Sequence, residues 1–217
     1  MLRSVSPNIS IITNWGCQQK CWFCIWQHHP LKNVNLPMDW KKLEQFISDN
    51  RDKKKFSISG GGDCLFEYRT NVHWWTRIFE LAHKYNMVVD VHSRQKLYED
   101  IFWRRINKLV ITSDNLSDDI YYFDYIREFC KLRIVHVATE YTDVNEIENF
   151  IKFSEKSYVQ FTIKQLSFYD DKGMFEKLKR HYSNEVYFLE EGDYNKYFFP
   201  DNSIGNEFIN LKAVSDD

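Results

Sequence analysis

Asn8-Ile-Ser-Ile-Ile-Thr-Asn-Trp-Gly-Cys-Gln-Gln-Lys-Cys-Trp-Phe-Cys24 is the stretch on which the reading of this chain turns. Its first part, Asn8 to Thr13, is short, apolar and rich in β-branched residues, which predicts a strand. Its second part sets Cys17, Cys21 and Cys24 at C-x3-C-x2-C spacing on a segment containing Gln and Lys. Three thiols this close cannot all pair as disulfides, and short cysteine spacings gather soft ligands around a metal. Two metal readings stand at this point. Cys17, Cys21 and Cys24 with His28, next to His29, have the composition of a closed Cys3His zinc site. A [4Fe–4S] cluster is normally held by four thiolates, so a three-thiolate loop leaves one iron open to a ligand that is not protein.

Outward from this loop the chain alternates strand-like and helix-like segments. Helical spacing puts Trp40, Leu43, Phe46 and Ile47 on one side of Asp39 to Ser48, and Val72, Trp75, Phe79 and Ala82 on one side of Asn71 to Tyr85. Phe56 to Ser59 and Met87 to Val91 are the second and third strands, and a helix is expected around Gln95 to Arg105. Leu109 to Thr112 is the fourth strand, followed by a helix that Ser117 caps and Asp118 and Asp119 favour at its start. Leu132 to Val137 precedes a helix with Val144, Ile147, Phe150 and Ile151 on one stripe, and Tyr158 to Ile163 precedes Lys172 to Tyr182. Such alternation predicts an α/β protein with a parallel sheet wrapped by helices. At 217 residues the chain is shorter than the roughly 250 of an eight-unit barrel. Beyond Asn184, Glu185 to Leu189, Lys196 to Phe199 and Glu207 to Leu211 read as short strands. The expected organisation is therefore a domain over 1–183 and a C-terminal β extension over 184–217.

Composition excludes some classes. A net charge of −2 supplies no basic field for nucleic acid, and Arg51-Asp52-Lys53-Lys54-Lys55 reads as a solvated loop. No window has the apolar length of a membrane span, and Met1 to Ser10 lacks the pattern of a signal peptide. The expectation is a cytoplasmic protein without a membrane partner, where reducing conditions keep cysteines available as ligands.

Ligand-binding residues of such sheets gather at the C-terminal strand ends, and the cysteine loop follows the first strand. The second strand ends in Ser59-Gly60-Gly61-Gly62-Asp63-Cys64-Leu65-Phe66, which takes three of the seven glycines. That concentration predicts unusual torsions or a close approach of backbone. The third, fourth, fifth and sixth strands end in His92-Ser93-Arg94, Thr112-Ser113-Asp114, Thr139-Glu140 and Lys164-Gln165. Each polar pair also suits plain loop capping.

From Ile11 to Gln165 the order and spacing of these features resemble the radical S-adenosylmethionine (radical SAM) superfamily, whose motif is C-x3-C-x-aromatic-C, with Phe23 supplying the aromatic. The resemblance implies a partial (β/α)6 TIM-like barrel. It implies a [4Fe–4S] cluster on Cys17, Cys21 and Cys24, with S-adenosyl-L-methionine at the open iron. In that family the second strand ends in Gly-Gly-Glu-Pro, whose backbone binds the SAM amino group. Gly61, Gly62 and Asp63 match it, with Asp for Glu and Cys64 in place of Pro. Ser93 and Thr112 are the SAM contacts expected from the other strand ends. Cys64 is read as a packed thiol, with a fourth metal ligand as the alternative, and Cys130 as core.

What the resemblance implies is an oxygen-sensitive enzyme that cleaves SAM reductively to a 5′-deoxyadenosyl radical, which abstracts hydrogen from substrate. With no second cysteine set, the electron comes from an external flavodoxin- or ferredoxin-like donor. The expected substrate is a small molecule, anionic or nucleotide-like, met by Arg94 and Lys164, with Tyr194, Asn195 and Tyr197 closing over it. Alternatives are an activase of a glycyl-radical enzyme, which usually bears Asp-x-Lys where this chain has Thr112-Ser113-Asp114, and a non-catalytic zinc or iron–sulfur module. Peptide-maturing members commonly carry a cysteine-rich C-terminal extension, and this tail has no cysteine.

Overall fold

The cysteine loop leaves a strand, β1 (Ile9–Gly16), whose neighbours place the rest of the surrounding unit. The structure, a computed structural model, describes residues 9–21, 24, 37–166, 170–190 and 195–206. They fall into two compact units, one of Met1–Leu97, Arg105–Asn107 and Asp193–Asp217, the other of Tyr98–Arg104 and Lys108–Gly192.

In the first unit β1 is followed by α1 (Trp40–Asp49), β2 (Lys55–Gly62), α2 (Val72–Lys84) and β3 (Val88–His92), and later by β8 (Lys196–Phe198) and β9 (Ile204–Gly205). The strand order is β3-β2-β1-β8-β9. β1 runs parallel to β2 with Ile9 opposite Phe56, β2 parallel to β3 with Phe56 opposite Val89, and β8 parallel to β1 with Ile11 opposite Phe198. β9 returns antiparallel to β8. Ile9, Ile11, Phe56, Ile58, Val89 and Val91 are all buried, and Phe198 of that row meets Phe46 of α1 at 5.7 Å between ring centroids. Burying a side chain of this size is worth about 1.5–3 kcal/mol, so these rows hold the unit together. The buried stripe of α2 is Trp75, Ile78, Leu81 and Ala82. The expected Val72, the first residue of the helix, is exposed, and the expected Phe79 is half-buried.

The second unit contains α3 (Asp100–Trp103), β4 (Lys108–Thr112), α4 (Leu116–Ile126), β5 (Lys131–Val137), α5 (Val144–Ser157), β6 (Gln160–Gln165), α6 (Met174–Tyr182) and β7 (Tyr187–Glu190). β4, β5, β6 and β7 pair in that order, all parallel. Ile147, Phe150 and Ile151 line α5 as the spacing predicts, and Phe150 stacks on Phe161 of β6 at 5.1 Å.

Three local expectations are corrected. The helix expected over Gln95 to Arg105 shrinks to α3, because Asp63 and Ser93 take the backbone N–H groups of Arg94 and Gln95 and hold the chain in a loop. The cap of α4 is Asn115, whose Oδ1 accepts from Ser117 N at 2.9 Å, not Ser117 itself. Cys130 lies beyond the end of α4 and is half-buried rather than core. Of the three C-terminal strands expected, two correspond to β7 and β8; Glu207 to Leu211 lies outside the described residues. Among the described residues no helix is long and apolar enough to cross a membrane.

Candidate active site at the strand ends of the first unit

Because β1, β2 and β3 are parallel, their C-terminal ends share one edge of this unit, and the chemistry-bearing residues converge there. Gly16 closes β1 at φ +90°, a left-handed turn that L side chains rarely adopt, and delivers the chain into the cysteine loop. Cys17 is exposed, Cys21 and Cys24 are half-buried, and none of the three is in a disulfide. The loop is folded on itself by Cys24 N–H donating to the Cys21 carbonyl at 3.0 Å and Gln19 N–H donating to Cys17 Sγ at 3.3 Å. Partial desolvation on the protein side pushes the otherwise exposed Cys17 thiol up from its ordinary value; the Gln19 amide opposes this, and negative charge on Asp63, Cys21 and Cys24 adds to it. Among the described residues no three His, Cys, Asp or Glu side chains are already drawn together as a metal cage. The donor chemistry nonetheless fits an iron–sulfur cluster. Three soft thiols share one loop, a donor set that an iron–sulfur cluster would use. Phe23, His28 and His29 lie outside the described residues.

The glycine run is dictated first by the protein's own backbone. A Cβ on Gly60 would sit 2.3 Å from the Gly62 carbonyl oxygen. One on Gly62, at φ +115°, would sit 2.4 Å from the Gly16 carbonyl oxygen. Gly62 pairs with Gly16 in the ladder, and Asp63 N–H donates to the Gly16 carbonyl at 2.9 Å. Gly61 is buried between them.

Asp63 is only 6% exposed, and both carboxylate oxygens are spoken for. Oδ1 accepts from Leu65 N at 2.9 Å and Ser93 Oγ at 2.6 Å; Oδ2 accepts from Arg94 N at 2.7 Å and Gln95 N at 3.1 Å. The carboxylate thus clamps the end of β2 to the end of β3. Ser93 is buried within the same clamp. Cys64 is fully buried and donates Sγ–H to the His92 carbonyl at 3.1 Å. Burial drives its thiol well above the ordinary range, so it is held protonated as a packed thiol.

Two residues were undervalued in the sequence. Arg94, expected to meet substrate, donates from Nη1 to Cys21 Sγ at 3.3 Å. Gln95, not singled out, buries an Oε1 that has no hydrogen-bond partner among the described residues. Position just past β3 was the one available signal for either.

In the second unit Thr112 is half-buried at the end of β4. Its neighbour Ser113 is fully buried and caps the following loop through Asn115 O and Asp119 Oδ2. Thr139 likewise closes its own turn, accepting from Tyr141 N at 3.1 Å. Gln165 donates to Asp171 at 3.3 Å, which in turn caps the start of α6. Lys164 is half-buried.

No protein-family model matches the chain, and no curated protein matches it. Solved structures do. SuiB of Streptococcus suis bound to S-adenosylmethionine aligns at 15% identity with a TM-score of 0.67, covering 94% of this chain and 59% of that one. SuiB bound to the precursor peptide SuiA aligns at 13% identity with a TM-score of 0.69, covering 97% and 62%. The chain thus spans about three fifths of the SuiB chains. Its fold is the α/β fold of these SuiB structures, with a largely parallel sheet, as the alternating strand and helix segments implied.

Proposed function

We propose that this chain is a radical SAM enzyme, with Cys17, Cys21 and Cys24 holding a [4Fe–4S] cluster and SAM seated at its open iron. The observation that carries the reading is three free thiols on the loop leaving β1 of a radical SAM fold. The cluster and SAM together supply a 5′-deoxyadenosyl radical; the protein binds, orients and excludes water. The backbone of Gly61, Gly62 and Asp63 forms the shelf for SAM, because the Asp63 carboxylate is already saturated by four protein donors. Phe23 borders the cluster and Ser93, at the end of β3, contributes to the SAM site; Thr112 is a further SAM contact in this reading. Gln95 Oε1, an acceptor in want of a donor, suits a ligand ammonium or hydroxyl. The electron comes from an external flavodoxin- or ferredoxin-like protein.

The substrate is a small anionic or nucleotide-like molecule, for which Lys164 is the cation in the second unit. A peptide substrate is the second reading, favoured by the SuiB structure solved with its precursor peptide SuiA. Anaerobic reconstitution tests the core of the proposal. About four irons per chain are expected, lost in Cys17→Ala, Cys21→Ala and Cys24→Ala but not in Cys130→Ala. The reduced protein with SAM should release 5′-deoxyadenosine, and candidate metabolites or peptides that accelerate release identify the substrate class. One tight zinc per chain without iron–sulfur assembly would transfer the case to the Cys3His module. Formation of a glycyl radical on a partner enzyme would mark an activase.

A further inference from the structure

Arg94 stands out among the groups around the cysteine loop because its charge is aimed at sulfur. It lies two residues past the end of β3, and its backbone N–H donates to Asp63 Oδ2 at 2.7 Å. The root of the side chain is therefore fixed by a buried carboxylate that also holds Ser93 Oγ and the amides of Leu65 and Gln95. From that root the guanidinium donates from Nη1 to Cys21 Sγ at 3.3 Å. We propose that Arg94 is a positioning residue of the thiolate loop, a fixed cation that orients Cys21 Sγ and raises the affinity of the assembled cluster for its single electron. This rests on the radical SAM reading.

The argument is electrostatic. Reduction of [4Fe–4S]2+ to [4Fe–4S]+ by a low-potential flavodoxin- or ferredoxin-type donor adds one negative charge to the site. No bond forms or breaks in the protein, and Arg94 keeps its charge throughout, since a guanidinium does not deprotonate in proteins. A cation within hydrogen-bond reach of a ligand sulfur favours the more negative state. Hydrogen bonds to cluster sulfurs act in the same direction. Arg94 is half-buried, so solvent screens this attraction only in part. The competing use of the same side chain, binding a carboxylate of SAM or substrate, leaves the potential of the SAM-free cluster untouched.

The test compares reconstituted wild type, Arg94→Gln and Arg94→Lys, each checked for fold by circular dichroism, then for iron, SAM affinity and midpoint potential without SAM. In Arg94→Gln the ratio of reduced to oxidised cluster at a fixed solution potential should be about tenfold lower, a midpoint lower by about 59 mV for one electron. Arg94→Lys should recover most of it. Assembly in Arg94→Lys but not Arg94→Gln also supports the charge at Cys21. An Arg94→Gln cluster with unchanged potential overturns the inference, whether or not SAM affinity falls. Loss of the cluster from both variants while wild type assembles overturns it too, since charge alone then fails to rescue. Failure of wild type to assemble a cluster is a separate result that removes the functional reading itself.

Discussion

Replacing Asp63 with Asn tests how the site is built, because the side chain keeps its size and loses one acceptor. In the native clamp four donors point at two carboxylate oxygens. The asparagine amide nitrogen must occupy one of those two places. At the Oδ2 position it would face the N–H groups of both Arg94 and Gln95, two donor–donor conflicts; of these amides only Gln95 keeps another acceptor, Ser93 Oγ at 2.9 Å. At the Oδ1 position the Ser93 hydroxyl can turn to accept, and only Leu65 N–H loses its partner. The second arrangement wins. It strands one buried amide, at about 1–3 kcal/mol, and weakens the surviving bonds from charged to neutral. Asp63→Asn should therefore cost about 2–3 kcal/mol, and Asp63→Ala, which removes all four bonds, about 3–5 kcal/mol. In urea the Asn variant should unfold about 1 M earlier than wild type. Cluster-free protein is sufficient, since the clamp is made of protein alone. An Asp63→Asn midpoint within about 0.2 M of wild type would show that the carboxylate is not the clamp described, on the same scale of denaturant sensitivity.

Gly62→Ala places a Cβ 2.4 Å from the Gly16 carbonyl oxygen at φ +115°, so backbone strain of about 1–3 kcal/mol precedes any clash; a thermal melt like that of wild type would refute it. Cys64, fully buried and held protonated, should be the last cysteine alkylated in native cluster-free protein and Cys17 among the first, read by peptide mass spectrometry. His136 is 5% exposed, and burial lowers its pKa, so the unfolded chain takes up its proton before the folded one. Stability should fall as pH drops below about 6.5, by at most about 1.4 kcal/mol per pH unit. His136→Gln should show a shallower loss between pH 7.5 and 5.5, and equal slopes would refute the assignment.

What was legible in the sequence was local. Strand and helix periodicity located the parallel ladders, because buried rows such as Ile9, Ile11, Phe56 and Ile58 must alternate whatever else the chain does. The spacing of Cys17, Cys21 and Cys24 marked the loop for the same reason. What escaped was non-local. The bond from Asp63 to Arg94 spans 31 residues and that from Arg94 to Cys21 spans 73, and no short window contains both partners. The missing helix at Gln95 has this cause: a distant carboxylate took the amides. Cys130 was read as core, but the helix whose buried face carries Phe123 and Ile126 ends at Ile126, and the chain turns there.

The same non-local bonds separate two uses of the segment Gly60 to Asp63 that the sequence merges. Gly60 and Gly62 are crowded by protein backbone, and the Asp63 side chain is consumed by protein amides. A residue whose side chain is fully engaged internally contributes to a ligand through its main chain or through what it holds in place. Here it holds Arg94, and through Arg94 it reaches the cysteine loop. Asp63 where the resembled Gly-Gly-Glu-Pro motif has Glu is consistent with that use, since the carboxylate on its shorter arm meets the amides just past β3. The β2 segment and the thiolate loop are in this way one mechanical unit. A change at Asp63 should therefore be felt at Cys21 as well as at Ser93, Arg94 and Gln95, which the carboxylate holds directly.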